Sequence, residues 1–377
     1  MALNCGIVGL PNVGKSTIFS ALSGCAAEAA NYPFCTINPN TGIVNVPDDR
    51  LARLSALFNP ARTIPATVEF VDIAGLVRGA SKGEGLGNQF LSHIRETAVL
   101  AQVVRCFDDG NIVHVDNKVD PEADMEVIAI ELALADLAAL AKRRERAERA
   151  LKVQAKAEQK LAEAALAALQ KIEPLLENGK AARLADLSDD EKEAVRDAGF
   201  ITLKPVLYVC NTDEAGVRSV TGGGAGNAYI EAVKKRAAAE GTEAVVICGK
   251  FEAELAEITD SEEKQSFLAE LGLTENESGL SALIRAAYRL LGLATFFTAG
   301  ADECRAWTIR QGDTAPKAAG VIHTDFEKGF IKAEVYTFDD IMRYGTEAKI
   351  KEAGKYRQEG KEYTVADGDI MFFRFNP

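Results

Sequence analysis

No apolar run in this 377-residue chain reaches the roughly 18 residues that a helix needs to cross a bilayer, and no basic stretch precedes its first apolar residues. The expectation is a cytoplasmic chain with no membrane contact. Cysteine is present seven times (Cys5, Cys25, Cys35, Cys106, Cys210, Cys248, Cys304) but never as Cys-x-x-Cys, which argues against a zinc knuckle or a disulfide frame. Several of these thiols lie in apolar, strand-like runs and read as small buried hydrophobes. Positive charge is in deficit: the formal net charge of -13 excludes indiscriminate binding to polyanions unless a local basic patch meets them. Aromatics make up only 7%, against 47% apolar residues rich in alanine, the composition of a soluble α/β chain with much helix. The length allows two or three domains.

What is present is organised around residues 9–16, Gly-Leu-Pro-Asn-Val-Gly-Lys-Ser, a match to G-x-x-x-x-G-K-[ST]. Cys5 to Val8 reads as a buried strand before it and Thr17 to Leu22 as a helix after it. A strand feeding such a turn onto a helix N-terminus aims backbone N–H groups and the helix dipole at one anion. Lys15 then reaches the β- and γ-phosphates of a nucleotide, and the Ser16 hydroxyl takes one Mg²⁺ position.

Downstream, Asn31 to Gly42 is rich in proline and asparagine and reads as a loop, in the place of the first switch of phosphate-loop enzymes. Thr36 lies 20 positions after Ser16. It is either an ordinary loop threonine or the hydroxyl that completes the Mg²⁺ shell. The predicted strand Thr67 to Val71 delivers Asp72-Ile-Ala-Gly75, a carboxylate suited to hold Mg²⁺ through water and a backbone N–H suited to the γ-phosphate. Glycines at 75, 79, 83, 85 and 87 predict a pliable second switch. Leu76 stands where Ras-type enzymes carry the glutamine that orients the attacking water, and a leucine side chain cannot do that task. His114, in the loop after the apolar strand Ala98 to Phe107, is either a structural hydrogen-bonder or the residue that takes over water positioning.

From Met125 to Phe200 apolar residues recur at three- and four-residue spacing, broken near Pro174 and Gly179. Two long antiparallel helices, a coiled-coil arm, are expected as an insertion, because a buried strand resumes at Pro205 to Cys210. Its stretch from Lys142 to Lys160 carries eight basic residues against three acidic ones, either a solvated helix face or a contact for RNA phosphate. The resumed strand ends at Asn211-Thr-Asp-Glu214, where GTP-binding proteins carry Asn-Lys-x-Asp. Adenine offers no N1–H and no 2-amino donor to that aspartate, so Glu214 in its place, longer by a methylene, argues for ATP over GTP. A shifted register would make Asp213 the base reader. A strand, Ala244 to Cys248, then leads to the last base-facing loop and a helix, Ala253 to Ile258.

These motifs together, with Asn31-Tyr-Pro-Phe-Cys-Thr36, Phe70-Val-Asp-Ile-Ala-Gly-Leu-Val77 and Arg105-Cys-Phe, resemble the YchF, or Obg-like ATPase, family over essentially the whole chain. The resemblance implies an α/β fold: a doubly wound phosphate-loop NTPase domain over 1–124 and 201–291, the helical arm over 125–200, and a small α+β β-grasp (TGS) domain over 292–377. It implies a Mg²⁺-dependent ATPase that prefers ATP, hydrolyses it slowly and binds the ribosome, 70S and large subunit, with RNA met through the arm and the TGS domain. Nucleotide contacts then fall on Asn12, Val13, Gly14, Lys15, Ser16, Thr17, Gly75, Phe107, Asn211, Glu214 and Cys248, and the metal on Ser16, Thr36 and, through water, Asp72. Lys15 and His114 are the catalytic candidates, with Leu76 in the place of the glutamine. Asn12 matches the asparagine of K⁺-stimulated relatives, so K⁺ activation is a further expectation. Cys248-Gly-Lys departs from the Cys-Ala-Ala expected there, which leaves the base-edge contacts open.

After the predicted helix Leu280 to Leu291, alternating runs at Arg305 to Ile309, Lys332 to Tyr336 and Asp369 to Phe375 read as strands, with short helices at Ala315 to Ile322 and Phe338 to Arg343. Trp307 is either core or contact surface. A monomer is expected. Two other classes fit the same motifs: a GTPase of the Obg or Era type, and a ribosome-binding scaffold whose hydrolysis is incidental.

Overall fold

The computed structural model describes residues 3–24, 40–73, 86–115, 118–153 and 155–376; Cys25, Cys35, Thr36, Gly75 and Leu76 lie outside them. The first strands are β1 (Asn4–Val8), β2 (Thr41–Asn45), β3 (Arg62–Ile64), β4 (Thr67–Asp72), β5 (Val99–Arg105), β6 (Val206–Asn211) and β7 (Ala244–Ile247). All except β3 form one six-stranded sheet in the order β2-β4-β1-β5-β6-β7. β1 pairs with β4 and β5, β5 with β6 and β6 with β7, all parallel. Every residue of β1, β5 and β6 is buried, as a parallel sheet covered on both faces requires, which is why these strands read as predominantly apolar runs. The carboxyl ends of β1, β4, β5 and β6 deliver the phosphate loop, Asp72, Cys106 and Asn211 to one edge, where ligands of open α/β sheets bind.

The arm consists of two long helices, Pro121–Ala150 and Lys156–Glu177, followed by the short helix Asp189–Val195. Asp120 caps the first by accepting from the Ala123 N–H at 3.3 Å, and Pro121 fills the first turn, where its missing N–H costs nothing. Small side chains at the seam (Ala147, Ala162, Ala165, Ala168) let the helices approach around Leu169 and Ile172, which are fully buried. One expectation is corrected: the second helix does not break at Pro174 but runs on to Glu177. A proline there removes one backbone bond, yet Ile172 and Leu176 on either side are buried in the arm core, and their packing outweighs it. The stop comes at Gly179, with φ at 67°, as expected.

The arm root is tied to the sheet by buried polar groups. Asp136, with no exposed surface, accepts from the Ile201 and Thr202 N–H groups and the Thr202 hydroxyl at 2.9, 2.7 and 2.6 Å. Glu240 accepts from Arg183, Arg236 and the Tyr208 hydroxyl, so one carboxylate holds a residue of the arm root, a helix and a central strand. Removing one partner from such a site leaves a buried charge uncompensated.

A second compact unit groups Ile43–Val68 with Ile284–Pro377. Its later strands are β8 (Leu293–Ala299), β9 (Glu303–Arg310), β10 (Phe330–Thr337), β11 (Arg357–Glu359) and β12 (Asp369–Phe375), in a sheet ordered β11-β10-β12-β8-β9-β3. β8–β9 and β10–β12 are antiparallel and β12 runs parallel to β8, the mixed β-grasp topology, with the helix Ala315–Ile322 over a core of Phe296, Ala318, Val335 and Phe373. The segment 43–68 adds β3 to the edge of this sheet. Its helix Asp49–Phe58 is capped by Asp48 and fastened by an Arg50–Asp367 ion pair at 2.6 Å. Among the described residues no helix is long and apolar enough to cross a membrane. The described cysteines (Cys5, Cys106, Cys210, Cys248 and Cys304) are all buried and free, as expected of small hydrophobes.

One buried acid makes the first unit pH-sensitive. The Glu252 carboxylate accepts from the N–H of Leu280 at 3.2 Å, at the start of the helix Gly279–Leu290, and burial pushes its pKa up to about 7. An acid held above its unfolded value binds its proton more tightly in the folded chain, so this contribution is full below pH about 4.5 and is lost as pH rises through about 7. Across that window the loss approaches about 1.4 kcal/mol per pH unit. We expect Glu252→Gln, which keeps the acceptor, to gain melting temperature relative to the parent as pH rises from 4.5 to 7. Melting curves that shift in parallel with pH would show that Glu252 does not titrate there.

Candidate functional site

The phosphate loop leaves β1 and turns through two left-handed residues, Asn12 (φ 62°) and Gly14 (φ 90°), before entering the helix Lys15–Gly24. Backbone in that conformation turns successive N–H groups toward one side, an anion-binding concavity continued by the helix N-terminus. Lys15, the first helical residue, is buried, and its ammonium pairs with the Asp72 carboxylate at the end of β4. Ser16 and Thr17 stand exposed on the same helical turn. The loop thus brings together Asn12, Val13, Gly14, Lys15, Ser16, Thr17 and Asp72. The Ser16 hydroxyl and the Asp72 carboxylate are hard oxygen donors of the kind Mg²⁺ takes alongside phosphate oxygens.

Asn211, at the end of β6, is 5% exposed, and both ends of its amide are engaged by backbone. Its Nδ2 donates to the Val13 carbonyl at 2.8 Å and its Oδ1 accepts from the Gly249 N–H at 2.9 Å. The phosphate loop, the end of β6 and the start of the helix Gly249–Glu257 are therefore braced by one side chain. Glycine at 14 is needed twice over: its φ is left-handed, and a Cβ there would lie 2.1 Å from Asn211 Nδ2. Cys248 is buried at the neck of that helix, and burial raises its thiol pKa.

The residues that follow Asn211 take separate roles. Thr212 is buried and donates to the Cys106 carbonyl at 3.1 Å. Asp213 caps the helix Glu214–Thr221 by accepting from the Gly216 N–H at 2.8 Å, so its carboxylate is already committed. The Glu214 carboxylate is half-exposed and lies 3.5 Å from Arg218 on the outside of the same helix.

Opposite, the loop after β5 is shaped by Arg105, which is 1% exposed and donates to the carbonyls of Phe107, Asp109 and Ile112 at 3.2, 3.2 and 3.0 Å. Its guanidinium lies 4.8 Å from the Phe107 ring centroid, fixing that half-buried side chain. Asn12 donates to the Val113 carbonyl at 3.1 Å and so ties this loop to the phosphate loop. The neighbouring His114 is buried, with Nε2 3.0 Å from Asp124 in the first turn of the arm helix. To meet an attacking water, His114 has to leave that partner.

Two contributors escape sequence reasoning. Arg105 ends an apolar strand and has no local signature of its role. Asn227 caps the helix Ala228–Ala239 with its Oδ1 and donates with Nδ2 to the Cys106 carbonyl at 2.8 Å, so that carbonyl takes two side-chain donors. An asparagine closing the glycine-rich run 222–226 ahead of a helical pattern is the signal that could have found it. The Cys106 thiol, hydrogen-bonded to the free thiol of Cys210 and buried, is pushed up, and burial raises Cys5 to about 12, so neither is a nucleophile.

Comparisons with known proteins bear on both halves of the chain. A family described as 50S ribosome-binding GTPase matches residues 4–135, and the YchF-GTPase C-terminal family, described as a protein of unknown function (DUF933), matches 293–376. The chain is 54% identical over 376 residues to the ribosome-binding ATPase YchF of Escherichia coli O157:H7, and 51% identical to that of Bacillus subtilis (strain 168), covering 100% of both chains in each case. It is similar to the solved structure of the Schizosaccharomyces pombe YchF GTPase, with a TM-score of 0.85 and 38% identity over 98% of this chain and 97% of that one.

The brace gives a direct prediction. Gly14→Ala should weaken ATP binding at least about tenfold, as calorimetry would read it, since overpacking here displaces Asn211 from both partners. Unchanged affinity would show that the brace does not shape the loop.

Proposed function

The chain belongs to the YchF family, and on that premise we propose that it is a cytoplasmic, monomeric Mg²⁺-dependent ATPase that binds the ribosome as a nucleotide-controlled switch. The observation that carries the nucleotide reading is the buried Lys15 at the head of its helix, beside Asp72 and beneath a loop braced by Asn211. Phosphate-loop N–H groups and Lys15 receive the charge that develops on the γ-phosphoryl group, while the loop holds it in line for water. Lys15 exchanges Asp72 for phosphate on nucleotide binding, which frees the carboxylate. Ser16, Thr36 and Asp72 are the residues that would hold Mg²⁺, which would supply positive charge to offset that of the phosphates. Asn12 is the residue through which K⁺ would act.

Preference for ATP over GTP rests on what faces the base edge. Asp213 is spent as a helix cap and Glu214 pairs with Arg218, so no short carboxylate stands ready for guanine N1–H and the 2-amino group. Phe107, Asn211 and Cys248, at or just after the ends of β5, β6 and β7, are the residues that would frame the base, and Gly75 the one whose N–H would meet the γ-phosphate. Leu76 in the glutamine position supports slow intrinsic turnover, with the ribosome completing the site. Ribosome contact through RNA is supported at the arm. There Arg143 is tied to Asp197, Arg144 to Glu173 and Lys160 to Asp190, but Lys142, Arg146, Lys152 and Lys156 stand exposed around the tip. The C-terminal β-grasp (TGS) unit is the second contact.

Competition binding with ATP and GTP tests the reading. ATP should bind at least about tenfold tighter, and Glu214→Asp should shift preference toward GTP. Equal affinities, or GTP in the lead, would favour the Obg- or Era-type GTPase. In the same preparation His114→Ala should keep ATP affinity and lose turnover if the histidine positions water; full turnover would end that role.

A further inference from the structure

Phe107 lies just past the end of β5, yet the backbone on both sides of it is held. On the near side the Cys106 N–H donates to the Asn211 carbonyl at 2.7 Å. The Cys106 carbonyl takes the Thr212 hydroxyl at 3.1 Å and Asn227 Nδ2 at 2.8 Å, which fills both of its lone pairs. On the far side the Phe107 carbonyl takes Arg105 Nε at 3.2 Å, and the Asp108 carboxylate takes the Tyr229 hydroxyl at 3.2 and 3.0 Å. The two planar peptides that flank the Phe107 Cα are thus both fixed, and with them the direction in which its side chain leaves the chain. The Arg105 guanidinium, over one face of the ring, leaves the other face for a planar ligand.

Two of these holds come from one helical turn, that of Asn227 and Tyr229 at the start of the helix Ala228–Ala239. Asn227 caps this helix with its Oδ1, accepting from the Ile230 N–H at 2.9 Å. Capping alone does not call for asparagine, since aspartate caps as well; the amide adds a donor, and that donor is spent on Cys106. We propose that Asn227 is a positioning residue for nucleotide binding: together with Tyr229 it brackets Phe107 from both sides and sets the ring against the adenine base. The inference rests on Phe107 as a base contact and extends that reading to a side chain 121 residues from Cys106 along the sequence. A ring placed before the ligand arrives adds to affinity, because the cost of ordering it has already been met. The phosphates are held elsewhere, by the loop and Lys15, so loss of the bracket falls on binding and not on the chemical step.

Steady-state ATP hydrolysis by the full chain and its variants tests this, with tripolyphosphate as an inhibitor that carries phosphates but no base. Asn227→Asp keeps the cap and replaces the donor with an oxygen set against the Cys106 carbonyl. It should raise KM for ATP about tenfold, leave kcat within about twofold and leave inhibition by tripolyphosphate unchanged. Tyr229→Phe, which removes a single hydroxyl and spares the cap, should raise KM about threefold in the same pattern. Phe107→Ala should itself raise KM, and adding Asn227→Asp to it should raise KM no further. An unchanged KM in either bracket variant, an equal weakening of tripolyphosphate, or an effect that adds in full to that of Phe107→Ala would overturn the proposal while leaving Phe107 as a base contact. An unchanged KM in Phe107→Ala would remove the base contact and the proposal with it.

Discussion

The amide of Asn211 holds the candidate site together. With one donor and one acceptor it joins the Val13 carbonyl and the Gly249 N–H, two backbone groups that belong to different strand ends. Left unpaired in a buried setting, each would cost about 1–3 kcal/mol, so the side chain and both loops are mutually fixed. Gly14 makes the close approach feasible and Asn12 extends the tie to the loop after β5. The phosphate loop is thereby placed by three other segments, and its motif is one part of a joined edge.

That edge is continuous with the arm. β6, which ends at Asn211, carries Tyr208, whose hydroxyl meets the same Glu240 that holds Arg183 at the arm root. His114, one residue from the Asn12 contact, is bonded to Asp124 in the arm's first turn. Two buried polar links therefore run from the nucleotide edge to the base of the helices whose far end is basic. A switch that reports nucleotide state to a partner at the arm tip needs a path of this kind, built from groups with discrete arrangements.

Much of this was legible in the sequence for a physical reason. Full burial on both faces forces the central strands into predominantly apolar runs, and small residues at helical spacing announce the arm seam, so Val206–Asn211 and the two long helices were readable. Pro174 misled because a local rule favouring a break yields to packing on both sides of it. β8 was hidden because Leu293–Ala299 follows a helix that is itself apolar, and the two periods cannot be told apart at the join. Nothing local signals that residues 43–68 add a strand to a sheet whose other members begin at Leu293. Within the site, the motif named Asn211 as a nucleotide contact, but its service to two backbone groups depends on neighbours far away in the chain. Nothing local in the sequence marks Glu252, and only folding encloses it beside the start of another helix.

The central claim is that the joined edge is complete for binding but not for chemistry, since Leu76 offers nothing to orient water. It is tested most directly by single-turnover ATP hydrolysis with and without purified ribosomes, with a variant in which Lys142, Arg146, Lys152 and Lys156 are changed to alanine alongside. The account predicts slow cleavage by the chain alone, a rise of at least tenfold with ribosomes, and loss of most of that rise in the arm variant. Rapid cleavage without ribosomes, or no response to them, would contradict it.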